Sequence, residues 1–520
     1  MFAKINSAAL NGLKAISVTL EVNAFLTKGG DGTESTFFMV GLPDNAVRES
    51  KQRVLSALAN SAFRLPRMNV TVNLAPADIR NEGSGFDLPL AVGLLKTTDI
   101  VKADRLDEVA FVGELGLDGT IRSVRGALPI AIEARKQGFK ALFVPKANER
   151  EAGVVNHLKV YGVKTLKEVV DALNGNLSLT PVAVDTRADF YAAQTTYPLD
   201  FADVKGQTAA KRAFEVAAAG GHNLMIVGSP GCGKSMMAKR LPSILPQLTL
   251  AESLETTQIY SIAGELPAET SLIARRPFRS PHHTISDVAL IGGGMTLRPG
   301  EISLAHNGVL FLDELPEFSR SALETLRQPL EDREITIRRT RYAATLPCSF
   351  MLVAAMNPCP CGYYNHPTRE CVCPPGSVQK YLSKVSGPLM DRIDIQIEIA
   401  PVPFEEISKS TPAEPSSLIR SRVIAARARQ TARFADFPHV HCNAQMTAPL
   451  TQRFARLDEE GMQLLKKAME RFGLSARAYD RILKVARTIA DLAGSETIAA
   501  EHIREAILYR NLDRASWGAV

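Results

Sequence analysis

The sequence predicts an α/β protein whose C-terminal part is helical. The apolar run at 223–227 leads into a glycine-rich turn and then into a segment of helical spacing, the order of a buried strand, a loop and a helix. Strand-like and helix-like runs also alternate through residues 1–175. After residue 403 the apolar positions repeat at helical spacing.

Composition limits the classes of protein that the chain can belong to. Its 520 residues suggest roughly three domains. Hydrophobic residues make up 45% and charged residues 22%, which is ordinary for a globular protein. There is no run of about 18 apolar residues and no apolar signal core after Met1, so we expect a cytoplasmic protein without a membrane span. The net charge of +6 permits nucleic-acid binding but argues for it only weakly.

Four regions follow one another along the chain. We predict an N-terminal α/β domain over 1–175, a polar linker over 176–199, a nucleotide-binding core over 200–402 and a helical region over 403–520. In the first region we predict strands at 35–42, 69–74 and 141–144 and helices at 47–58, 88–95 and 128–137. In the last we predict helices at 416–434, 458–472, 475–493 and 499–510.

The turn at 228–235 has the pattern G-x-x-x-x-G-K-S of a phosphate-binding P-loop. Its glycines let backbone N–H groups surround phosphate oxygens at a helix N-terminus. The pattern predicts that Lys234 reaches the β- and γ-phosphates of ATP and that Ser235 holds Mg²⁺. A glycine-rich turn in a Rossmann-like unit is the alternative. The candidate ATP-binding residues are Gly228, Ser229, Pro230, Gly231, Cys232, Gly233, Lys234 and Ser235.

Two later strands end in polar residues suited to ATP hydrolysis. The apolar run 309–312 ends at Asp313, which we expect to hold Mg²⁺, and Glu314, which we expect to deprotonate the attacking water. The strand 350–356 ends at Asn357, whose amide can bond the γ-phosphate or the water. The alternative for Asn357 is an ordinary strand-end turn residue.

Two arginines, Arg392 and Arg477, are candidates for stabilising the charge that spreads over the γ-phosphate during transfer. Donation of such an arginine by a neighbouring subunit would make hydrolysis depend on assembly. A surface ion pair is the alternative for each.

Four cysteines, Cys359, Cys361, Cys371 and Cys373, form two C-x-C pairs that nine residues separate. Four thiolates from two turns can meet at one tetrahedral Zn²⁺, so we predict a zinc site. Free reduced thiols are the alternative, and His366 inside the loop could replace one cysteine. The adjacent His282 and His283 predict no metal site, because their side chains diverge, and we interpret them as structural.

These motifs together resemble the magnesium-chelatase-like AAA+ ATPases typified by ComM (YifB), over nearly the whole chain. The resemblance implies a ring of six subunits with ATP between subunits. It also implies that Asn357 is sensor 1, Arg392 the arginine finger and Arg477 the sensor 2 arginine. An insert near 262–304 and a hairpin at about 333–347 are expected from it. The motifs that carry the resemblance lie at 228–235, 279–284, 298–306, 311–318, 355–362 and 477–481.

The N-terminal region resembles the proteolytic domain of Lon proteases, an S5-like α+β fold, at 82–93, 112–119 and 143–149. Lon proteolysis needs a serine that a lysine activates. Gly85 stands at the serine position and Leu128 near the lysine position, while Ser84 is one residue away. We therefore expect a domain without the catalytic dyad.

The resemblance implies an ATP-driven motor on single-stranded or branched DNA, a helicase for branch migration in recombination and natural transformation. Arg338, Arg339 and Arg341 in the hairpin are the candidate DNA contacts, because guanidinium groups neutralise phosphates. A solvated hairpin that charge protects from aggregation is the alternative. Other open functions are a metal-chelatase-type motor and an ATP-dependent Lon-like protease.

Overall fold

A computed structural model describes residues 1–26, 36–77, 83–194, 197–267, 269–294, 298–339, 342–408 and 413–510. The α/β fold class is confirmed, since parallel strands alternate with helices in both sheet-containing regions. In the N-terminal region the strands are β1 Phe2–Asn11, β2 Lys14–Leu26, β3 Phe37–Val40, β4 Met68–Ala75, β5 Val109–Phe111, β6 Glu114–Leu115, β7 Ile121–Arg122, β8 Ala141–Pro145 and β9 Lys159–Val163. Its helices are α1 Asn45–Asn60, α2 Asp87–Thr97, α3 Ala127–Lys136, α4 Glu149–Ala152 and α5 Leu166–Leu173.

Seven of these strands form one sheet in the order β3-β4-β2-β1-β5-β8-β9. Strands β1 and β2 are a long antiparallel hairpin in which buried and more exposed residues alternate, as a sheet with one covered face requires. Helix α2, almost wholly buried, covers that face. The predicted helices at 47–58 and 88–95 lie within α1 and α2, and the one at 128–137 agrees with α3 to within one residue at each end. The β1–β2 hairpin was not predicted.

The segment 176–199 contains a helix, α6 Thr186–Ala193, that Asp185 caps by accepting a hydrogen bond from Ala188 N–H at 3.0 Å. Its Phe190 is buried against Leu248 and Ala274 of the nucleotide-binding region. Gln194, which follows the helix, donates to Leu248 O at 2.8 Å. The segment that we expected to be a linker therefore docks on the core through both apolar and polar contacts.

The middle region is built on a five-stranded parallel sheet in the order β11-β14-β17-β10-β18. Its strands are β10 Leu224–Gly228, β11 Phe278–Arg279, β12 Gly292–Gly293, β13 Arg298–Pro299, β14 Val309–Leu312, β15 Glu334–Arg339, β16 Tyr342–Pro347, β17 Met351–Met356 and β18 Ile395–Ile399. Its helices are α7 Thr208–Gly220, α8 Lys234–Arg240, α9 Leu250–Ala263, α10 Asp287–Ile291, α11 Glu301–Leu304, α12 Arg320–Thr325, α13 Arg327–Asp332, α14 Ser377–Leu382, α15 Gly387–Met390 and α16 Phe404–Ile407.

The expected insert at 262–304 differs from the structure in one respect. Strand β11 within that range belongs to the central sheet, where it pairs with β14. The elements outside the core sheet are α10 and the small pair β12–β13. The expected hairpin at 333–347 is present as the antiparallel pair of β15 and β16.

The C-terminal region is helical, with α17 Ser416–Arg433, α18 Ala448–Phe454, α19 Glu459–Phe472, α20 Ala476–Ala493 and α21 Ala500–Leu508. Buried residues of α17 and α20 join the core of the central sheet, beside α7. No helix in the described part of the chain combines the length and the apolar character that crossing a membrane requires.

The N-terminal region packs directly on the middle region. Gly126 N–H donates to Ser261 O at 3.0 Å, and the Ser261 hydroxyl donates to the buried carboxylate of Glu151 at 3.0 Å. The turn between β1 and β2 reaches the β15–β16 hairpin, where Leu13 packs against a cluster that contains Ile335. The N-terminal region thus contacts the hairpin that carries the candidate DNA-binding arginines.

Candidate nucleotide site and cysteine cluster

The P-loop connects the end of β10 to the start of α8. Gly231 and Gly233 have φ angles of +83° and +88°, which glycine adopts without steric cost and which turn the chain around an open centre. Helix α8 begins at Lys234, so its free N–H groups face the loop. The turn therefore has the backbone of an anion site.

Lys234 is buried and occupies the centre of the loop. Its Nζ donates to Gly228 O at 2.6 Å, to Ser229 O at 3.1 Å and to the Asn357 side-chain oxygen at 3.0 Å. Burial lowers the pKa of its ammonium group, and the charge of Asp313 opposes that effect. The contacts hold the ammonium where phosphate oxygens would bind.

Ser235 and Asp313 meet across the site. The Ser235 hydroxyl donates to Asp313 Oδ2 at 2.5 Å. Hydroxyl and carboxylate oxygens are ligands that Mg²⁺ prefers. The structure thus brings together the two residues that the sequence predicts for magnesium, although 78 positions separate them.

Glu314 follows with a left-handed backbone, φ +54°, and a side chain that is 57% exposed. Its backbone N–H donates to Asp313 Oδ1 at 3.0 Å. His283 Nδ1 lies 3.4 Å from Glu314 Oε2. The sequence predicts a structural role or an insert contact for His283 and gives no signal that places it beside Glu314, because this contact depends on how the segment after β11 folds back.

Asn357 reaches the P-loop because β17 lies between β10 and β14 in the sheet. Parallel strands end at the same edge, so the residues after β10, β14 and β17 converge there. The Asn357 oxygen accepts from Lys234 at 3.0 Å. The amide is therefore placed between the P-loop and the acidic pair.

The two candidate arginines lie apart from these residues. Arg392 is 12% exposed, pairs with Glu331 and donates to Pro388 O at 2.6 Å. Arg477 is 71% exposed and donates to Asp391 at 2.8 Å. In the described part of the chain no hydrogen bond or ion pair joins either arginine to the P-loop.

The four cysteines converge, with all four sulfur atoms within 4.8 Å of one another. Cys359, Cys361 and Cys371 have Sγ–Sγ distances of 3.3, 3.7 and 3.6 Å. Four thiolates around Zn²⁺ at 2.3 Å would be about 3.8 Å apart. Backbone N–H groups of Tyr364 and Cys361 donate to Cys359 and Cys373 sulfurs, which favours thiolate charge. The residues therefore fit a bound metal ion.

The cysteine loop lies against the nucleotide site. Gly362 has φ +84°, and a Cβ there would be 2.6 Å from Cδ of Pro230 in the P-loop. The same Cβ position lies 4.0 Å from Asn357 Cγ. Only glycine fits this contact, so the loop and the P-loop pack tightly.

The candidate DNA-binding arginines are only partly described. Backbone pairing places Arg338 opposite Ala343 and Arg339 opposite Tyr342, near the turn of the hairpin. Arg341 lies outside the described residues.

The N-terminal region holds no serine–lysine pair among the residues that the structure describes. The Ser84 hydroxyl instead donates to the Glu114 carboxylate. Nearby, buried Asp87 accepts from Arg53 Nε at 2.7 Å, and burial raises the pKa of Asp87 to about 6. The hydrogen-bond partner of the Ser84 hydroxyl is thus a carboxylate and not the lysine that Lon proteolysis needs.

The P-loop follows β10, which is next to the edge strand β18 in the five-stranded parallel sheet, and the acidic pair follows β14, two strands away. This is the arrangement of the AAA+ proteins. Three family models, all of the magnesium chelatase subunit ChlI, match separate stretches of the chain. They are "Magnesium chelatase, subunit ChlI" over 200–407, "Subunit ChlI of Mg-chelatase" over 27–148 and "Magnesium chelatase, subunit ChlI C-terminal" over 413–510.

Two full-length relatives narrow the family. The chain is 43% identical over 512 residues to "Uncharacterized protein YifB" of Escherichia coli, covering 98% of this chain and 97% of that protein. It is 42% identical over 517 residues to "Competence protein ComM" of Haemophilus influenzae, covering 98% of each. Lon protease 2 of Bacillus subtilis is 24% identical over 125 residues, which cover 24% of this chain and 22% of that protein. The chain belongs to the ComM/YifB family of magnesium-chelatase-like AAA+ proteins, as its motifs predicted.

Proposed function

We propose that this chain is an ATP-hydrolysing ring motor that acts on DNA, as a helicase for branch migration in recombination and natural transformation. The observation that carries ATP hydrolysis is the convergence of Lys234, Asp313, Glu314 and Asn357 at one edge of the sheet. Mg²⁺, held by Ser235 and Asp313, would neutralise phosphate charge. Glu314 would take a proton from the attacking water, and Asn357 would orient that water or the γ-phosphate.

The assembly is part of the proposal. ATP bound between subunits of a hexamer would receive Arg392 from a neighbour as arginine finger and Arg477 as sensor 2, as the family resemblance implies. Arg392 would have to leave Glu331 to reach a neighbouring phosphate. Arg477 is mostly exposed and needs only to leave Asp391. A cytoplasmic location, where ATP is available, belongs to the same proposal.

Two observations favour DNA as the substrate. One full-length relative is named "Competence protein ComM", the family for which the sequence motifs imply a DNA motor. The β15–β16 hairpin carries Arg338 and Arg339 close to its turn, and a Cβ at Gly12 of the N-terminal region would lie 3.6 Å from Ala344 Cβ in that hairpin. Motion of the N-terminal region and of the hairpin would therefore be coupled.

A chelatase-type metal-insertion motor is the second candidate, because the matching models describe magnesium chelatase subunits. A Lon-like protease is disfavoured, since Ser84 is bonded to Glu114 and not to a lysine.

The deciding experiment measures the ATPase rate with and without branched DNA over a salt series. We expect stimulation at low salt that declines as salt rises, because phosphate contacts release counterions. Replacing Arg338, Arg339 and Arg341 with alanine should remove most of the stimulation and leave the basal rate. The matched control replaces three exposed arginines elsewhere, Arg64, Arg105 and Arg504. Equal rates with and without DNA at low salt would refute the DNA proposal and favour the chelatase-type motor.

We propose that Cys359, Cys361, Cys371 and Cys373 hold one Zn²⁺, which would fix the loop whose Gly362 packs on Pro230. Elemental analysis of the purified protein should find about one zinc per chain. The pair of substitutions Cys371→Ser and Cys373→Ser should remove that zinc and lower ATP turnover, because the support of the P-loop is lost. Cys348→Ala, a buried cysteine outside the cluster, is the control and should keep the metal. Wild-type protein without zinc and with four reactive thiols would contradict the assignment.

A further inference from the structure

A charged cavity lies at the amino edge of the central sheet, on the side opposite to the P-loop. We call it the amino-edge cavity. Its volume is about 120 Å³, and its walls include Asn223, Gly308, Phe350 and Asp394, which precede β10, β14, β17 and β18. Strand β10 separates it from the P-loop by roughly 16 Å, at about 3.3 Å per residue. It is therefore distinct from the nucleotide site.

The charge of the amino-edge cavity is unbalanced. Four guanidinium groups and two carboxylates line it, an excess of two positive charges. The arginines come from separate elements. Two of these are the C-terminal helices α17 and α20, which we call the lid helices, and a third is the residue before hairpin strand β15. The charged lining residues are Glu252, Arg276, Arg333, Asp394, Arg427 and Arg481.

Two of the arginines are already compensated. Arg481 donates to Asp394 at 2.8 Å. Arg276 lies 3.3 Å from the Glu252 carboxylate and donates to Pro246 O at 2.6 Å. These bonds fix both guanidinium groups at the wall.

Arg333 and Arg427 have no carboxylate partner among the described residues. Arg427 donates to Ala218 O at 3.1 Å through Nη2, but its buried Nε has no hydrogen-bond partner there. Burial lowers the pKa of Arg333, and the nearby Cys442 thiol and Asp394 carboxylate oppose that effect only in part. Burial and the charge of Arg427 likewise lower the pKa of Arg276, as expected where cations crowd together without enough counter-charge.

We propose that the amino-edge cavity binds a phosphate group, as inorganic phosphate or as the phosphate of a small monoester. Partly buried cations without a carboxylate partner lose solvation, and a dianion held by Arg333 and Arg427 would compensate for that loss. Planar guanidinium groups bind phosphate oxygens with paired hydrogen bonds. A cavity of about 120 Å³ has room for one phosphate group. The ligand would tie lid helix α17 to the base of the β15–β16 hairpin.

The test uses calorimetric titration of inorganic phosphate into the full-length chain that carries Lys234→Ala, so that the P-loop does not contribute. Sodium chloride at equal ionic strength is titrated as the reference. We expect about one phosphate per chain in this background, and at least about 10-fold weaker binding after Arg333→Gln or Arg427→Gln, each of which removes one charge from the pair. Arg427→Lys, which keeps the charge, should weaken binding less than Arg427→Gln.

The two single variants keep the test decisive if one of them fails to fold, which circular dichroism would show. No phosphate binding in the Lys234→Ala background would overturn the proposal. Unchanged binding in the folded Gln variants would overturn it as well. The result is independent of DNA stimulation and ATP turnover, so it stands or falls apart from the proposed motor function.

Discussion

Lys234→Ala is expected to abolish ATP turnover and to weaken Mg-ATP binding strongly. The Lys234 ammonium bonds to Gly228, Ser229 and Asn357, and it is the buried cation at the centre of the P-loop. Its loss removes the charge that would balance the β- and γ-phosphates, for which we expect a decrease of roughly 10²–10³-fold or more in turnover. Calorimetric binding and steady-state phosphate release measure the two effects separately.

The matched control is Lys239→Ala. Lys239 is exposed on the same helix, α8, so its replacement removes the same charge without touching the loop. Its turnover should equal that of the wild type. Hydrolysis that DNA still stimulates in Lys234→Ala would show that the P-loop is not the working site.

Glu314→Gln has the second largest expected effect on ATP turnover and, unlike Lys234→Ala, should leave Mg-ATP binding intact. The amide keeps the size of the carboxylate but cannot accept the proton of the attacking water, so turnover should fall by roughly 10²–10⁴-fold. Binding of Mg-ATP should persist, because Ser235, Asp313 and Lys234 are unchanged. We expect the variant to accumulate in an ATP-bound assembly, which size-exclusion chromatography with and without ATP would detect.

Glu317→Gln is the control for this substitution. Glu317 lies three residues away, is 44% exposed and pairs with Lys384. It should leave turnover near the wild-type rate. Glu314→Gln protein with unchanged turnover would remove Glu314 as the general base and direct attention to its neighbour, His283.

Local patterns were sufficient where one element decides the outcome. The P-loop signature specified the turn because its glycines and the following helix are contiguous in sequence. The buried faces of α1, α19 and α20 follow from apolar spacing, since the apolar side of an amphipathic helix is the side that is covered. The convergence of the four cysteines was predictable because they lie within one loop.

The β1–β2 hairpin was not predicted although its signal is local, since only Gly12, with φ +61°, and Leu13 join its two strands. Other features lay beyond local patterns. Strand β11 has two residues, too few to show any period, and only its pairing with β14 defines it. The helix in the expected linker is short, and contacts with distant segments hold it, through buried Phe190 and through Gln194, which donates to Leu248 O.

The sequence by itself determined the family and the fold class, and it supplied the candidate residues for ATP binding and hydrolysis. Only the tertiary structure decided that β17 lies between β10 and β14, and this order places Asn357 beside Lys234. The contact of Gly362 with Pro230 and the charged amino-edge cavity also depend on it. The physical reason is that the residues of a motif are neighbours in sequence and interact locally. Strand order and the meeting of arginines from four separate segments result from packing the whole chain.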